Sequence, residues 1–338
     1  MRLLLFPLAF VYGLINRLRR RFYEMGFFRA QRLPKPVISV GNLTAGGTGK
    51  TPFVDVLLSQ LEGRGLKVCV LTRGYGRTSS RNILVNENST ASEVGDEPLW
   101  LYRRHPQTKI AVGADRIAAS KLAGADVDIF ILEDGLQHLQ VHRDFEITLV
   151  DATRPLSHYR PLPWGLGREG FEVLKNSDLV ILTRSNQADV KQLDDIADVI
   201  FKNGAFDLIE ASIEMDRIYD VKSGETKALD GVPVALVSAV GNPESFENLV
   251  KTAGLNVAFH VKKADHYQYI SSDLGPLEKK AGGAGAQALL VTEKDSIKIQ
   301  KLLQSRNEGA FPWGAVSVRL SFDPVLPDIY DLVSHSSH

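Results

Sequence analysis

One cysteine stands in 338 residues, so the chain closes no internal disulfide and cannot depend on one for its stability. Cys69 lies in the apolar run KVCVLT, the setting of a buried strand residue rather than a reactive thiol. A reducing compartment suits it. Excess charge is missing too: 40 basic residues face 40 acidic ones, and nothing global draws the chain to nucleic acid or any other polyanion. The N-terminal apolar run, Leu3 to Ile15, would reach only about 20 Å as a helix, short of the roughly 30 Å hydrocarbon core. A full membrane span is therefore not expected. Internal repeats and long low-complexity tracts are lacking as well. With 44% apolar residues the chain has the means to bury one large core or two modest ones.

Charge that is absent overall is present locally. Residues 1–32 hold seven arginines, Arg2, Arg17, Arg19, Arg20, Arg21, Arg29 and Arg32, against the single acid Glu24. Arg17 to Arg21 follow the apolar run, the reverse of a secretory signal. The segment reads as an interfacial helix, with leucine and phenylalanine in the bilayer and arginines at anionic headgroups. The bland alternative is a helix packed on the protein's own core.

From Lys35 onward the pattern is α/β. PVISVGN, KVCVLTRG, DIFILEDG, FEITLVDA and DLVILTRS read as buried strands, each followed by a loop and a helix-like stretch, which predicts a parallel sheet flanked by helices. The strand ends carry Asp, Arg, Thr or Gly, and in such sheets the ligand crevice lies at the carboxyl ends. Residues 207–232 alternate polar and apolar and run into the turn KSGE, so a hairpin or linking ribbon is expected there. VALVSAVG, NPESFENLVKTAG, ALLVTEKD and SIKIQKLLQ then repeat the strand-to-helix rhythm. The expected organisation is a membrane-associated helical segment at 1–32, a P-loop domain at 33–206, the linker at 207–232, and a smaller α/β lobe at 233–330.

The strongest motif is VGNLTAGGTGKTP at residues 40–52, a strand running into a glycine-rich turn and then a helix. Gly46, Gly47, Thr48 and Gly49 can turn backbone N–H groups toward phosphate oxygens, and the helix N-terminus favours an anion. Lys50 would reach the β- and γ-phosphates and Thr51 would place its hydroxyl on Mg²⁺. Thr44 occupies the position of the usual first glycine, and the doubled Gly46-Gly47 resembles the GGxGKT variant of membrane-associated and partitioning ATPases. A P-loop also needs a carboxylate at a neighbouring strand end. Glu133 and Asp134 supply two, and either could hold the metal.

The acceptor is indicated by further segments. GDEP at 95–98, EDGLQH at 133–138, RPLPWGLGRE at 160–169, DHY at 265–267 and TEKD at 292–295, with GGTGKTP and TRGYGR, resemble in the same order the tetraacyldisaccharide 4'-kinase family. The likeness runs from the N-terminal helix to TEKD. It implies a peripheral enzyme on the cytoplasmic face of the inner membrane that uses ATP and Mg²⁺ to phosphorylate the 4'-hydroxyl of a tetraacylated glucosamine disaccharide 1-phosphate. It also implies Asp96 as the acceptor-activating base with His266 paired to it, and Glu97, Arg116, His138, Arg168 and Glu169 as contacts to the sugar or its phosphate. Arginine's bidentate grip on phosphate suits that role. The family usually has two aspartates where this chain has Glu133 and Asp134. Arg73 and Arg77 flank Gly74-Tyr75-Gly76 and could approach either set of phosphates, and Trp164 could line an acyl-chain groove.

Two other readings fit the P-loop alone. One is a membrane-associated switch ATPase regulated by a partner, with water as the only acceptor. The other is a guanine-nucleotide enzyme, from ILTRSN at 181–186, although Asn186 stands where the base-reading aspartate belongs.

Overall fold

A computed structural model of the chain describes residues 5–204, 207–229, 231–306 and 311–336. Arg2, Leu3 and the last two residues of the SHSSH tail lie outside them. The strands are β1 (Val37–Asn42), β2 (Val68–Thr72), β3 (Ile83–Leu84), β4 (Lys109–Val112), β5 (Ile129–Glu133), β6 (Phe145–Asp151), β7 (Leu179–Thr183), β8 (Leu208–Asp220), β9 (Pro233–Ser238), β10 (Asn256–Lys262), β11 (Ala288–Thr292) and β12 (Trp313–Asp323). The helices are α1 (Phe6–Glu24), α2 (Lys50–Gly63), α3 (Ala91–Val94), α4 (Asp96–Arg104), α5 (Arg116–Ser120), α6 (Val190–Lys202), α7 (Pro243–Thr252), α8 (Ser271–Gly283), α9 (Glu293–Gln304) and α10 (Ile329–Ser336).

The five apolar runs form β1, β2, β5, β6 and β7, each buried along its whole length. Continuous burial is what a parallel strand covered on both faces requires. All the strands join one 12-stranded sheet in the order β10-β9-β11-β12-β8-β7-β6-β1-β5-β2-β4-β3. Two parallel blocks meet at a long antiparallel seam between β8 and β12, from Glu210 opposite Asp323 to Asp220 opposite Gly314. The alternation read at 207–220 is β8 itself, with every second residue from Ile209 to Ile213 buried. After it the chain turns, and Thr226 bridges back to Tyr219. The smaller lobe has its own core, in which Val237, Leu289 and Val291 pack with Leu274 and Leu277 of α8. The C-terminus returns to the first lobe, where Ile329 of α10 joins the core around α2 and Arg64 pairs with Asp328 at 2.5 Å and Asp331 at 2.7 Å.

A buried ionic cluster ties α2 to α4. Asp55 receives Arg104 through Nε at 2.6 Å and Nη2 at 2.9 Å. His105 bridges Asp55 at 2.9 Å and Glu62 at 2.7 Å. Burial pulls the imidazole pKa down, but the hydrogen bonds it donates to Asp55 and Glu62 outweigh burial and raise the pKa above the ordinary value. For Asp55 burial pushes upward, and His105 and Arg104 overcome it to leave the carboxylate pKa lowered. The helices fixed in this way begin with Lys50 and Asp96 respectively, so the cluster sets the spacing of two site residues from behind. A raised imidazole pKa stabilises the fold fully below about 6.5, the unfolded value, and loses that contribution as pH rises through the folded value. The His105→Gln variant should therefore lose about 2 kcal/mol at pH 6, and the deficit should shrink at pH 9. Urea midpoints of both proteins at the two pH values measure this.

Candidate active site

The phosphate loop grows out of β1, between β5 and β6 at the centre of its block. Gly49 begins α2 in the left-handed region at φ 87°, a conformation that a side chain would strain. The loop is held on both sides. Ala45 N donates to Leu166 O at 2.8 Å and Arg168 N to Leu43 O at 2.8 Å, which laces it to the RPLPWGLGRE segment. On the other flank lies Gly241, in the loop after β9, where a Cβ would stand 2.5 Å from the Gly47 amide nitrogen. Only glycine permits that approach of the smaller lobe.

Lys50 Nζ lies 3.0 Å from Asn42 Oδ1 and 3.2 Å from Asp134 Oδ1. Arg168 Nη1 reaches both Asp134 oxygens at 2.9 Å. Burial pushes the Asp134 pKa upward, but Lys50 and Arg168 overcome it and hold the carboxyl well below its ordinary range. Its neighbour behaves oppositely. Glu133, buried at the end of β5, has one donor in Thr72 Oγ1 at 2.6 Å. Burial first, then the charges of Glu97 and Asp134, push it up to about 7. A divalent cation among these carboxylates would relieve that repulsion. The residues fit Mg²⁺, which needs only one or two carboxylates when phosphates and water complete its shell.

Asp96 is the first residue of α4, whose N-cap is Gly95, so its carboxylate is not spent on capping. It is 2% exposed, and its Oδ2 meets His266 Nδ1 at 3.3 Å and Lys298 Nζ at 2.9 Å. Burial raises its pKa, and His266 followed by Lys298 outweighs burial to leave it lowered. Glu97 pairs with Lys294 at 3.0 Å, and its charge is felt by both Lys50 and Glu133, so it links the two halves of the site. His266 stands at φ 60°, as Asp134 does at φ 55°. Two non-glycine residues in that region at one crevice are strain of the kind found at functional sites. The TRGYGR loop closes on the dyad, with the Tyr75 ring 4.8 Å from that of His266.

The other expected contacts divide. Arg116 is buried, with Nη1 on Gly113 O and Ala114 O at 3.2 Å and no partner for Nε. The buried His138 Nε2 likewise has no partner. Burial, then Arg116 and Arg143, pull that imidazole down to about 4. These atoms await hydrogen bonds, as a bound anion would offer. Glu169 is engaged elsewhere: Arg20 of α1 holds it through Nε at 3.0 Å and Nη2 at 2.7 Å. Asn186 spends its amide on Ile213, donating to its carbonyl at 3.0 Å and accepting from its N–H at 3.2 Å. Arg77 donates to Arg81 O at 2.7 Å. The residues that sequence reasoning missed are Lys294 and Lys298. Their signal was present as two lysines four apart on the helix that opens with TEKD.

A glycine-rich loop between strand and helix, with a lysine beside carboxylates at the carboxyl edge of a parallel sheet, defines a P-loop phosphotransferase. The tetraacyldisaccharide-1-P 4'-kinase family matches residues 1–333, and the chain belongs to that family. It is 34% identical over 322 residues to the tetraacyldisaccharide 4'-kinase of Bdellovibrio bacteriovorus, covering 93% of each chain. To that of Geobacter sulfurreducens it is 36% identical over 301 residues, covering 86% of this chain and 82% of the relative. Among solved structures, the "apo" form of LpxK from Aquifex aeolicus in complex with ATP superposes with a TM-score of 0.73 at 28% identity, over 98% of this chain and 97% of that one. These relatives support the kinase over the switch ATPase.

Because the smaller lobe reaches the phosphate loop through Gly241, the Gly241→Ala variant should displace the Gly46-Gly47 backbone. The expected result is a raised KM for nucleotide with a smaller change for the acceptor, measured by steady-state kinetics with each substrate varied in turn.

Proposed function

We propose that this chain transfers the γ-phosphoryl group of ATP to the 4'-hydroxyl of a tetraacylated glucosamine disaccharide 1-phosphate, with Asp96 as the base. The observation that carries the reading is Asp96, buried and held by His266 and Lys298, beside Glu97, whose carboxylate feels the charge of the P-loop lysine. Family membership supports the reaction.

In this reading the main-chain amides of residues 46–51 cradle the triphosphate, and Lys50 leaves Asp134 to neutralise the β- and γ-oxygens. Thr51 and Glu133 would hold Mg²⁺, which would supply further positive charge for the phosphate oxygens. Asp134 and Arg168 set the resting place of Lys50 and keep it within reach. Asp96 accepts the hydroxyl proton late in a loose, in-line transfer. Arg116 and His138, with their unpartnered nitrogens, receive the acceptor's 1-phosphate, His138 donating from Nε2 as the neutral Nε2–H tautomer. Glu169 serves as the latch for α1 rather than as a sugar contact. The Lys50→Ala and Asp96→Asn variants should each lower kcat by about 100-fold or more, measured with labelled ATP and the disaccharide lipid in detergent. Undiminished turnover in both would contradict the reading, and phosphate released to water alone would favour a switch ATPase.

The site sits at a membrane surface through α1. Among the described residues no helix is long and apolar enough to cross a membrane. One face of α1 docks: Ala9 is buried, Asn16 Nδ2 donates to Arg168 O at 2.9 Å, and Phe6 packs edge-on against Trp164 at 5.3 Å. The rest presents Leu8, Phe10, Ile15 and Leu18 to solvent, and Phe27 beyond it is 71% exposed. Such an apolar strip beside Arg17, Arg19 and Arg21 suits anionic lipid and supports a peripheral position on the cytoplasmic face of the inner membrane. Replacing Leu8, Phe10 and Ile15 together by Ser should release the protein from vesicles containing anionic lipid, with turnover on detergent-dispersed substrate largely kept. The Arg20→Ala variant should instead lower turnover in detergent, because it frees Glu169 beside Arg168. Vesicle flotation and the kinase assay separate the two outcomes.

A further inference from the structure

Lys294 and Lys298 stand one turn apart on helix α9; Lys298 meets the proposed base and Lys294 meets its partner His266. Lys298 Nζ has three hydrogen atoms and three acceptors: Asp96 Oδ2 at 2.9 Å, Tyr267 O at 3.2 Å and Asp295 Oδ1 at 3.4 Å. The side chains of Lys298 and Asp96 are each 2% exposed, so water does not compete for this contact. Lys294 Nζ lies 3.0 Å from Glu97 Oε1 and 3.3 Å from His266 Nε2. An ammonium can only donate, so His266 Nε2 must accept. A neutral imidazole then carries its proton on Nδ1, which faces Asp96 Oδ2 at 3.3 Å.

We propose that Lys298 and Lys294 are positioning residues for phosphoryl transfer: Lys298 pins Asp96 by Oδ2, and Lys294 holds His266 as the neutral Nδ1–H tautomer. Both donors then fall on one oxygen, and Oδ1 alone is left for the incoming hydroxyl. The inference rests on Asp96 being the base. In the step itself the acceptor O–H bond breaks and its proton goes to Asp96 Oδ1. The acceptor oxygen bonds to the γ-phosphorus as the bond from phosphorus to the β–γ bridging oxygen breaks, and ADP carries that electron pair away. His266 does not receive the proton, because Nδ1 already bears one and Nε2 is occupied by Lys294. It orients the carboxylate instead. Since α9 belongs to the smaller lobe and α4 to the first, the base is complete only when the two lobes are together as they are here.

The groups facing Asp96 are His266, Lys298 and, by charge, Lys294; those facing His266 are Asp96, Asp265, Lys294, the Tyr75 ring and, by charge, Glu97. Loss of the Lys298 ammonium removes a cation that favours ionised Asp96, so the acid limb of the kcat profile must move to higher pH. With full-length protein in detergent, the Lys298→Met variant should lose about tenfold or more in kcat with the KM for ATP little changed. Its acid limb should shift upward, and Lys298→Arg should restore the limb. Nitrogen-15 NMR of histidine-labelled unmutated protein should show His266 protonated at Nδ1 and bare at Nε2, and Lys294→Met should release a mixture of tautomers. A wild-type acid limb in folded Lys298→Met, while Asp96→Asn is inactive, overturns the role of Lys298. An Nε2–H tautomer in the unmutated protein overturns that of Lys294, and this measurement needs no variant to fold. Full turnover by Asp96→Asn would instead remove the base reading beneath both.

Discussion

Four carboxylates, Asp96, Glu97, Glu133 and Asp134, meet at the carboxyl edge of one sheet, and the rest of the site is arranged around that repulsion. Two like charges about 4 Å apart cost about 4 kcal/mol as a pair at an effective dielectric of about 20. Lys50 and Arg168 answer Asp134, Lys294 answers Glu97, and Lys298 answers Asp96. Glu133 makes no direct ion pair among the described residues, and burial and its acidic neighbours push it up despite the charge of Lys50. That imbalance is the physical reason to assign it the metal, a division of labour between Glu133 and Asp134 that their sequence order leaves open. The compensating cations come from three separate parts of the chain, Lys50 at the start of α2, Arg168 in the RPLPWGLGRE segment and the lysine pair of α9, so charge balance and correct assembly are the same condition.

The sheet supplies that assembly. Had the two lobes been separate units on a flexible tether, Gly241 could not be held against the phosphate loop, nor α9 against α4. The β8–β12 seam makes one continuous platform of both blocks, and the lobes face each other across their carboxyl edges. Behind the crevice the Asp55–His105–Arg104 cluster binds α2 to α4, with Arg104 also 3.5 Å from Glu293 at the start of α9. Three helices that carry Lys50, Asp96 and the lysine pair are thus joined at one point away from the chemistry.

Helix α1 joins the same network from the other end of the chain. Arg20 holds Glu169, the residue next to Arg168, and also reaches Leu136 O at 3.0 Å in the loop after Asp134. A helix whose outer face is apolar is therefore wired to the carboxylate that holds Lys50. The sequence suggested an appendage outside the α/β core; the contacts make it one wall of the site.

The strands were legible because a parallel strand covered on both faces must be apolar throughout, and a phosphate loop needs glycines that few other structures need. VGNLTAGGTGKTP and the five apolar runs therefore marked β1, the loop, α2 and the centre of the sheet, and the ordered motifs pointed to the family. Partnerships between distant charges were not legible. Nothing in the run GRE announces that Arg20 pairs with Glu169, nothing in ILTRSN that Ile213 takes both ends of the Asn186 amide, and Lys294 and Lys298 look like ordinary helix lysines. Local sequence determines which backbone conformation a segment prefers and which side it must bury. The partner a buried charge finds is decided by which segments the finished sheet brings within 3 Å, because a Coulomb or hydrogen-bond energy depends on separation in space and not on separation along the chain.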